Sequence, residues 1–356
     1  MLCLDSVTKA IEHLNAEIIV VDNKSEDESC MFVKAYFPDV ILLSNTENLG
    51  FSKGNNVGVE QAKGEYLCIL NPDTVIPEDC FTKLIDFHKK LQNPGAIGVQ
   101  LIDGSGEFLK ESKRNIPTPK VALIKLLGNC SQYYNLKLNQ NDKGETDILV
   151  GAFMFMKTSL YRGVNGFDED YFMYGEDIDL SYTILKAGFK NYYFGEIQAV
   201  HFKGESTTKD QVYLKRFYNA MFIFYKKHFK NYKVPFNVVK KILKLTEIIE
   251  KIRLERLKVI DLSKRNTLII TEDSSLTKQI KSKIAYKVNC ANQIPEECTN
   301  TFVIFDAEFI SYKDSIEVLI NTKLKNNIFR YRPRKQNFII GSESKHFKGE
   351  ILKLNE

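Results

Sequence analysis

The feature that most constrains this chain is the alternation, through its first hundred residues, of short apolar runs with amphipathic stretches. Strand-like runs stand at 17–22 (EIIVVD), 39–43 (DVILL), 66–70 (YLCIL) and 96–101 (AIGVQL), with helical stretches between them at 25–36, 51–62 and 77–90. Short apolar runs separated by single helices are what a parallel sheet covered on both faces requires. The expected class is therefore α/β, with right-handed connections. Pro77 suits a first helical turn, and Gly64 after Lys63 suits a helix stop.

The pattern changes twice further along. Residues 103–150 are loop-rich, and a denser block opens at Gly151: strand-like AFMFM, a Gly- and Asp-rich loop 163–170, a helix over 176–187, and strand-like runs at 190–194 and 197–202. Helical patterns follow at 210–230 and 235–258, the second with Val238, Ile242, Leu245, Ile249 and Ile252 on one face. After Asp261 the runs NTLII, TFVIF, NNIFRY and NFIIG describe a second, small α/β unit. The expected organisation is a first domain over 1–210, a basic amphipathic helical region over 211–265, and a small α/β domain over 266–356 whose role the residues do not reveal.

Composition excludes classes. With 44% hydrophobic and 27% charged residues the chain can build a globular core, and it is neither collagenous nor broadly disordered. No run approaches the ~20 apolar residues that span a bilayer, and Met1 is followed by LCLD rather than a basic, cleavable leader. A cytoplasmic protein is expected. The seven cysteines are scattered, without a CxxC pair or zinc spacing, and read as reduced thiols. Charge is segregated: residues 211–265 hold 15 Lys/Arg and 4 Asp/Glu, a balance of +11 against +5 for the whole chain. Such a segment either lies on an anionic membrane surface or packs as a helix with a solvated basic face. No nucleic-acid motif accompanies it, so nucleic acid is not the expected partner.

In an open α/β sheet, functional atoms gather where strands end. After EIIVV come Asp22, Asn23, Lys24 and Ser25; after VILLS comes the run 45–50 with Asn48 and Gly50; after YLCIL come Asn71, Pro72 and Asp73; after EIQAV comes His201. Each alone has a plain reading as a cap, a turn or a structural histidine.

Taken in order, VVDNKS, TENLGFSKGNN, LNPDT, GAFMFM, YGEDIDL and VHFKGES resemble glycosyltransferase family 2, the inverting nucleotide-sugar transferases of the GT-A fold, and in particular the bacterial rhamnosyltransferase-like members. The resemblance covers residues 2 to 230. It implies a GT-A-type, mostly parallel sheet with helices on both faces, followed by basic helices and the small C-terminal α/β unit. It also implies that the chain begins inside a helix that family members place after a first apolar strand, so that either the true start lies upstream or the form lacks this strand.

The resemblance assigns roles. A hard divalent cation, Mg or Mn, neutralises the departing diphosphate. Asp73 is its ligand in a DxD-like turn that here reads Asn71-Pro72-Asp73, and His201 aligns with a late metal-binding histidine. Asp22 aligns with the carboxylate that reads base or ribose; Asn48, Gly50, Asn56 and Asn71 align with residues along the nucleotide. Lys53 is expected to be a solvated surface residue. Asp177 matches the catalytic aspartate at a helix N-terminus, where the dipole favours the ionised form, with Glu176 as a contact to acceptor or sugar hydroxyls. Asp179 is expected only to stabilise its helix. Gly151 and Ala152 would lie under donor sugar and acceptor, and Arg114 would either meet phosphate or acceptor or stand as a plain surface residue. Thr183 stands where many relatives have Arg.

The implied function is inverting transfer of a sugar, rhamnose among the candidates, from a nucleotide diphosphate sugar to a polysaccharide or lipid-linked acceptor, peripherally at the inner face of a membrane. Two rivals stand beside it. A sugar-phosphate nucleotidyltransferase would want a Gly-rich basic loop after its first strand, which is not visible; a degenerate nucleotide- or sugar-binding protein is favoured by the lost first acid of DxD and the missing strand.

Overall fold

The computed structural model describes residues 1–202, 211–229, 266–283, 287–342 and 349–354. The first part runs α1 (Leu2–Ala10), β1 (Ile19–Asp22), α2 (Ser29–Tyr36), β2 (Ile41–Ser44), α3 (Gly50–Gln61), β3 (Tyr66–Leu70), β4 (Thr74–Val75), α4 (Cys80–Lys89) and β5 (Pro94–Ile102). It continues with α5 (Pro119–Leu126), β6 (Lys143–Glu145), β7 (Phe153–Lys157), α6 (Thr158–Gly163), α7 (Glu176–Lys186), β8 (Lys190–His201) and α8 (Gln211–His228). The last part holds β9 (Asn266–Ile270), α9 (Ser274–Lys283), β10 (Val288–Ala291), β11 (Thr301–Asp306), α10 (Tyr312–Thr322), β12 (Ile328–Arg332), β13 (Phe338–Gly341) and β14 (Glu350–Lys353). The protein is α/β.

The central sheet has the order β3-β7-β5-β8-β4, with β6 against β8. Its pairing is mixed: β5 and β8 run parallel, whereas β7 is antiparallel to β3 and β5, and β4 and β6 are antiparallel to β8. β1 and β2 form a separate parallel pair. Helices cover both faces, as the doubly apolar runs demand. Ile97, Val99, Leu101, Phe153 and Phe155 point to α1 and α4, meeting Cys3, Val7, Cys80 and Leu84. The alternate residues Ala96, Met154 and Met156 point the other way, to Val59 of α3 and to Leu180 and Ile184 of α7.

The runs at 190–194 and 197–202 prove to be one strand. Between the pairs Val99–Phe194 and Gln100–Gln198 the register jumps, so residues 195–197 bulge out of β8. Gly195 sits in this bulge because a Cβ there would lie 2.3 Å from Gln140 O. Near the site, α7 begins at Glu176 after Gly175, whose φ of +81° an L side chain rarely adopts.

The C-terminal sheet has the order β10-β9-β11-β12-β13-β14, its first four strands parallel. It shares a core with the first part: Val75, Ile102, Val200 and Phe202 pack with Phe305, Tyr312 and Tyr331. Arg334 pairs with buried Asp5 at 2.7 Å, and Tyr312 donates its hydroxyl to the same carboxylate. Because Val200 and Phe202 face this core, His201 between them faces the opposite side.

Of the basic region, α8 packs rather than lying free: Ala220 and Phe224 are buried with Ile148, Tyr171 and Ile178. The second basic helix, read over 235–258, lies outside the described residues. All seven cysteines are free thiols.

Candidate functional site

Where β3 ends, the chain turns through Asn71 to Asp73 before β4. The Asn71 N–H donates to Ala152 O at 3.0 Å, which stitches this turn to the start of β7. One residue earlier, the Gly151 N–H donates to Asp177 Oδ2 at 3.1 Å. The strand end, the small-residue turn and the first turn of α7 are thus joined at one end of the sheet, where β3 and β8 finish and β7 starts, and Asn71, Asp73, Gly151, Ala152, Glu176, Asp177 and Arg114 lie at this end. A Cβ on Gly151 would lie 3.3 Å from Asp177 Cβ, so the small residue sets this approach.

Asp177 is held in place by three donors. Its Oδ2 accepts from Arg114 Nη2 at 2.7 Å, and its Oδ1 accepts from the Ile178 N–H at 2.8 Å. Burial opposes the charge on Arg114, but the Asp177 carboxylate outweighs it and drives the guanidinium's pKa up. Arg114 also donates to Leu149 O and lies beside buried Tyr133. Burial raises the phenol's pKa, but Arg114 and Lys125 together more than reverse this. Tyr133 was not visible as a site residue in the sequence; an aromatic in a loop carries no signal there. Arg114 meets a carboxylate of its own chain.

Glu176 is the opposite case. Burial first, and the neighbouring Asp177 charge second, push its carboxyl up to about 8. It is therefore mostly neutral at pH 7, and its buried Oε2 has no partner among the described residues. The adjacent carboxyls differ in surroundings: Asp177 accepts from three donors, and Glu176 has a proton to donate.

Asp73 Oδ1 stands 3.3 Å from His201 Nε2, both side chains nearly buried. The pair follows from strand register, since Thr74 is paired with His201 and the Phe202 N–H donates to Asp73 O. Asp73 Oδ1, His201 Nδ1 and Asn71 Oδ1 are buried without hydrogen bonds among the described residues. No cluster of three or more His, Cys, Asp or Glu is set to hold a metal among the described residues. One carboxylate and one imidazole fit a divalent cation whose remaining ligands come from a diphosphate.

The second group lies at the ends of β1 and β2. Asp22 accepts from the Ser25 N–H at 3.2 Å; burial pushes its carboxyl up, but these hydrogen bonds hold it below the usual carboxylate range. Asn23 donates to Gly50 O, and Asn48 accepts from the Gly50 N–H at 3.0 Å. Gly50, at φ +79°, leaves no room for a side chain, because a Cβ would lie 2.4 Å from Phe172 O. Phe51 bridges the two groups, its ring 3.6 Å from where a Gly151 Cβ would be.

Asn56 does something else. Its amide donates to Phe167 O and Glu169 Oε1, and its oxygen accepts from Tyr161 Oη at 2.6 Å and the Phe167 N–H at 3.1 Å. All four of its hydrogen-bonding positions are spent on α6 and the loop that follows it, leaving none for a nucleotide.

The model of the family described as glycosyl transferase family 2 matches residues 2–164. Among curated relatives, the N-acetylglucosaminyl-diphospho-decaprenol L-rhamnosyltransferase of Mycobacterium tuberculosis is 25% identical over 226 residues, covering 58% of this chain and 73% of that one. Rhamnosyltransferase WbbL of Escherichia coli is 26% identical over 213 residues, covering 56% and 79%. Among solved structures, the mannosyltransferase PcManGT of Pyrobaculum calidifontis, in complex with GDP-Man and Mn2+, overlaps with a TM-score of 0.43 at 21% identity, covering 68% of this chain and 63% of that chain. The chain carries, in residues 2–164, a glycosyltransferase domain of family 2.

Proposed function

We propose that this protein is a metal-dependent, inverting GT-A-type glycosyltransferase that moves a sugar from a nucleotide diphosphate sugar to a saccharide acceptor. The observation that carries the reading is the Asp73–His201 pair, a buried carboxylate and imidazole 3.3 Å apart with unpartnered atoms, at the same end of the sheet as Asp177. A divalent cation, Mg or Mn, held by Asp73 and His201 would offset the charge that grows on the leaving diphosphate.

The chain's own residues do the rest. The acceptor hydroxyl oxygen attacks the anomeric carbon, the bond from that carbon to the diphosphate oxygen breaks with its electron pair leaving on the diphosphate, and the hydroxyl proton passes to Asp177. Asp177 suits this because Arg114 and two backbone N–H groups fix its carboxyl at the start of α7. Glu176, protonated at neutral pH, cannot be the base there; it donates a hydrogen bond to a sugar or acceptor hydroxyl. Attack from the face opposite the leaving group inverts the anomeric centre. Asp22, Asn48 and Gly50 line the nucleotide end. The relatives named as acting on a diphospho-decaprenol-linked saccharide support a lipid-linked acceptor at a membrane surface, and rhamnose is the sugar two relatives are named for.

Asp73→Ala tests the metal assignment. Calorimetry with Mn2+ and, in turn, UDP, GDP and dTDP should find a nucleotide whose metal-dependent binding the variant loses by at least about tenfold, one hydrogen-bonded or ligating charge being worth more than ~1.4 kcal/mol. Unchanged metal-dependent affinity in a folded Asp73→Ala variant would sink the assignment.

A further inference from the structure

Asp179 belongs to the first turn of α7 and is only 2% exposed. A buried carboxylate needs compensating charge. It finds this on α8: Lys227 Nζ donates to Asp179 Oδ2 at 2.8 Å, and His228 Nε2 stands 2.7 Å from Oδ1. Tyr171 adds its hydroxyl to Oδ1 at 3.2 Å. Burial alone would raise the Asp179 carboxyl, and the bonds from His228 and Lys227 instead hold it below the usual range.

The same lysine reaches further. Lys227 Nζ also donates to Asp168 Oδ2 at 2.6 Å. Asp168 and Tyr171 belong to the loop 164–175, and this loop supplies Phe172 O, which accepts from the Phe51 N–H at 2.7 Å and packs against Gly50. Gly175, the last loop residue, would bring a Cβ within 3.1 Å of Ala220 Cβ on α8. Arg216 of α8 stacks over the Phe172 ring, 4.6 Å from its centroid. The first turn of α7, carrying Glu176 and Asp177, is thus gripped at both ends by one helix, which also grips the loop that abuts Gly50.

We propose that Lys227 and His228 are positioning residues: by holding Asp179 and Asp168 they fix the Glu176–Asp177 turn against the Gly151 and Gly50 turns, so that α8 sets the geometry of proton transfer without touching substrate. The inference rests on the reading of Glu176 and Asp177 as the reacting pair. It differs from helix stabilisation by Asp179 alone, which needs only the N-terminal position of the carboxylate and no partner on α8.

The test reads Glu176 directly and needs no substrate. With carboxyl-¹³C glutamate, and Glu176→Gln for assignment, the wild-type signal should titrate near 8. In Lys227→Met/His228→Ala, water should reach a loosened first turn and the titration should fall by about one pH unit or more, desolvation being what holds it up. Amide exchange at residues 176–178 should quicken by about tenfold, whereas Lys227→Arg/His228→Gln should keep both close to wild type. If the double variant does not fold, His228→Ala alone carries the comparison. An unchanged titration with unchanged exchange would overturn the proposal. A wild-type Glu176 titrating in the ordinary carboxylate range would instead count against its role as a neutral donor, and the exchange rates alone would then decide the positioning role.

Discussion

Asp177→Asn is expected to remove transfer almost completely while leaving nucleotide binding in place. The amide keeps an oxygen for the Gly151 or Ile178 N–H but cannot take a proton, and positioned proton abstraction is typically worth about 10² to 10⁴ in rate. Glu176→Gln is the matched control. Because Glu176 is mostly protonated at pH 7, its amide replacement still donates a hydrogen bond, and the loss should be much smaller. Rates at saturating donor for the two variants decide the matter: equal losses would place the base elsewhere, and full transfer by Asp177→Asn would remove it from this position.

Arg114→Met should give the largest effect on stability. Removing one partner of a buried pair strands the other charge, at a cost of about 3–5 kcal/mol, and here both side chains are nearly buried. Replacing both partners, as Arg114→Met/Asp177→Asn, should recover part of the loss, since no charge is then stranded. Denaturant unfolding reads both quantities. A single-variant cost below about 1 kcal/mol would mean that the pair behaves as an exposed one.

Much of the frame was legible because buried strands write themselves as apolar runs. Residues 66–70 and 96–101 are recovered in β3 and β5, and the YGEDIDL segment as the start of α7. The acidic turn was legible for a local reason: three carboxyls in a first turn suit a helix N-terminus. What escaped depends on partners distant in sequence. Asn56 looks like a nucleotide contact in TENLGFSKGNN, yet residues more than a hundred positions away consume its amide. Lys227 and His228 read as one more stretch of a basic face; Asp168 and Asp179 instead engage both, Lys227 from the exposed side and His228 from within. Arg114 gave no sequence reason to choose between phosphate and a plain surface, and the ion pair with Asp177, 63 residues on, is a third answer. Periodicity could not join 190–194 to 197–202, because the bulge at 195–197 breaks the alternation that marks a strand.

The proposed chemistry is inverting, metal-dependent transfer from a nucleotide diphosphate sugar. The most direct measurement incubates the protein with Mn2+, a panel of dTDP-, UDP- and GDP-sugars and lipid-linked saccharide acceptors, and assigns the new anomeric centre by NMR. The account predicts one productive donor, a product whose anomeric configuration is opposite to the donor's, and loss of transfer on chelation. Retained configuration, transfer indifferent to chelator, or no transfer from any donor would contradict it.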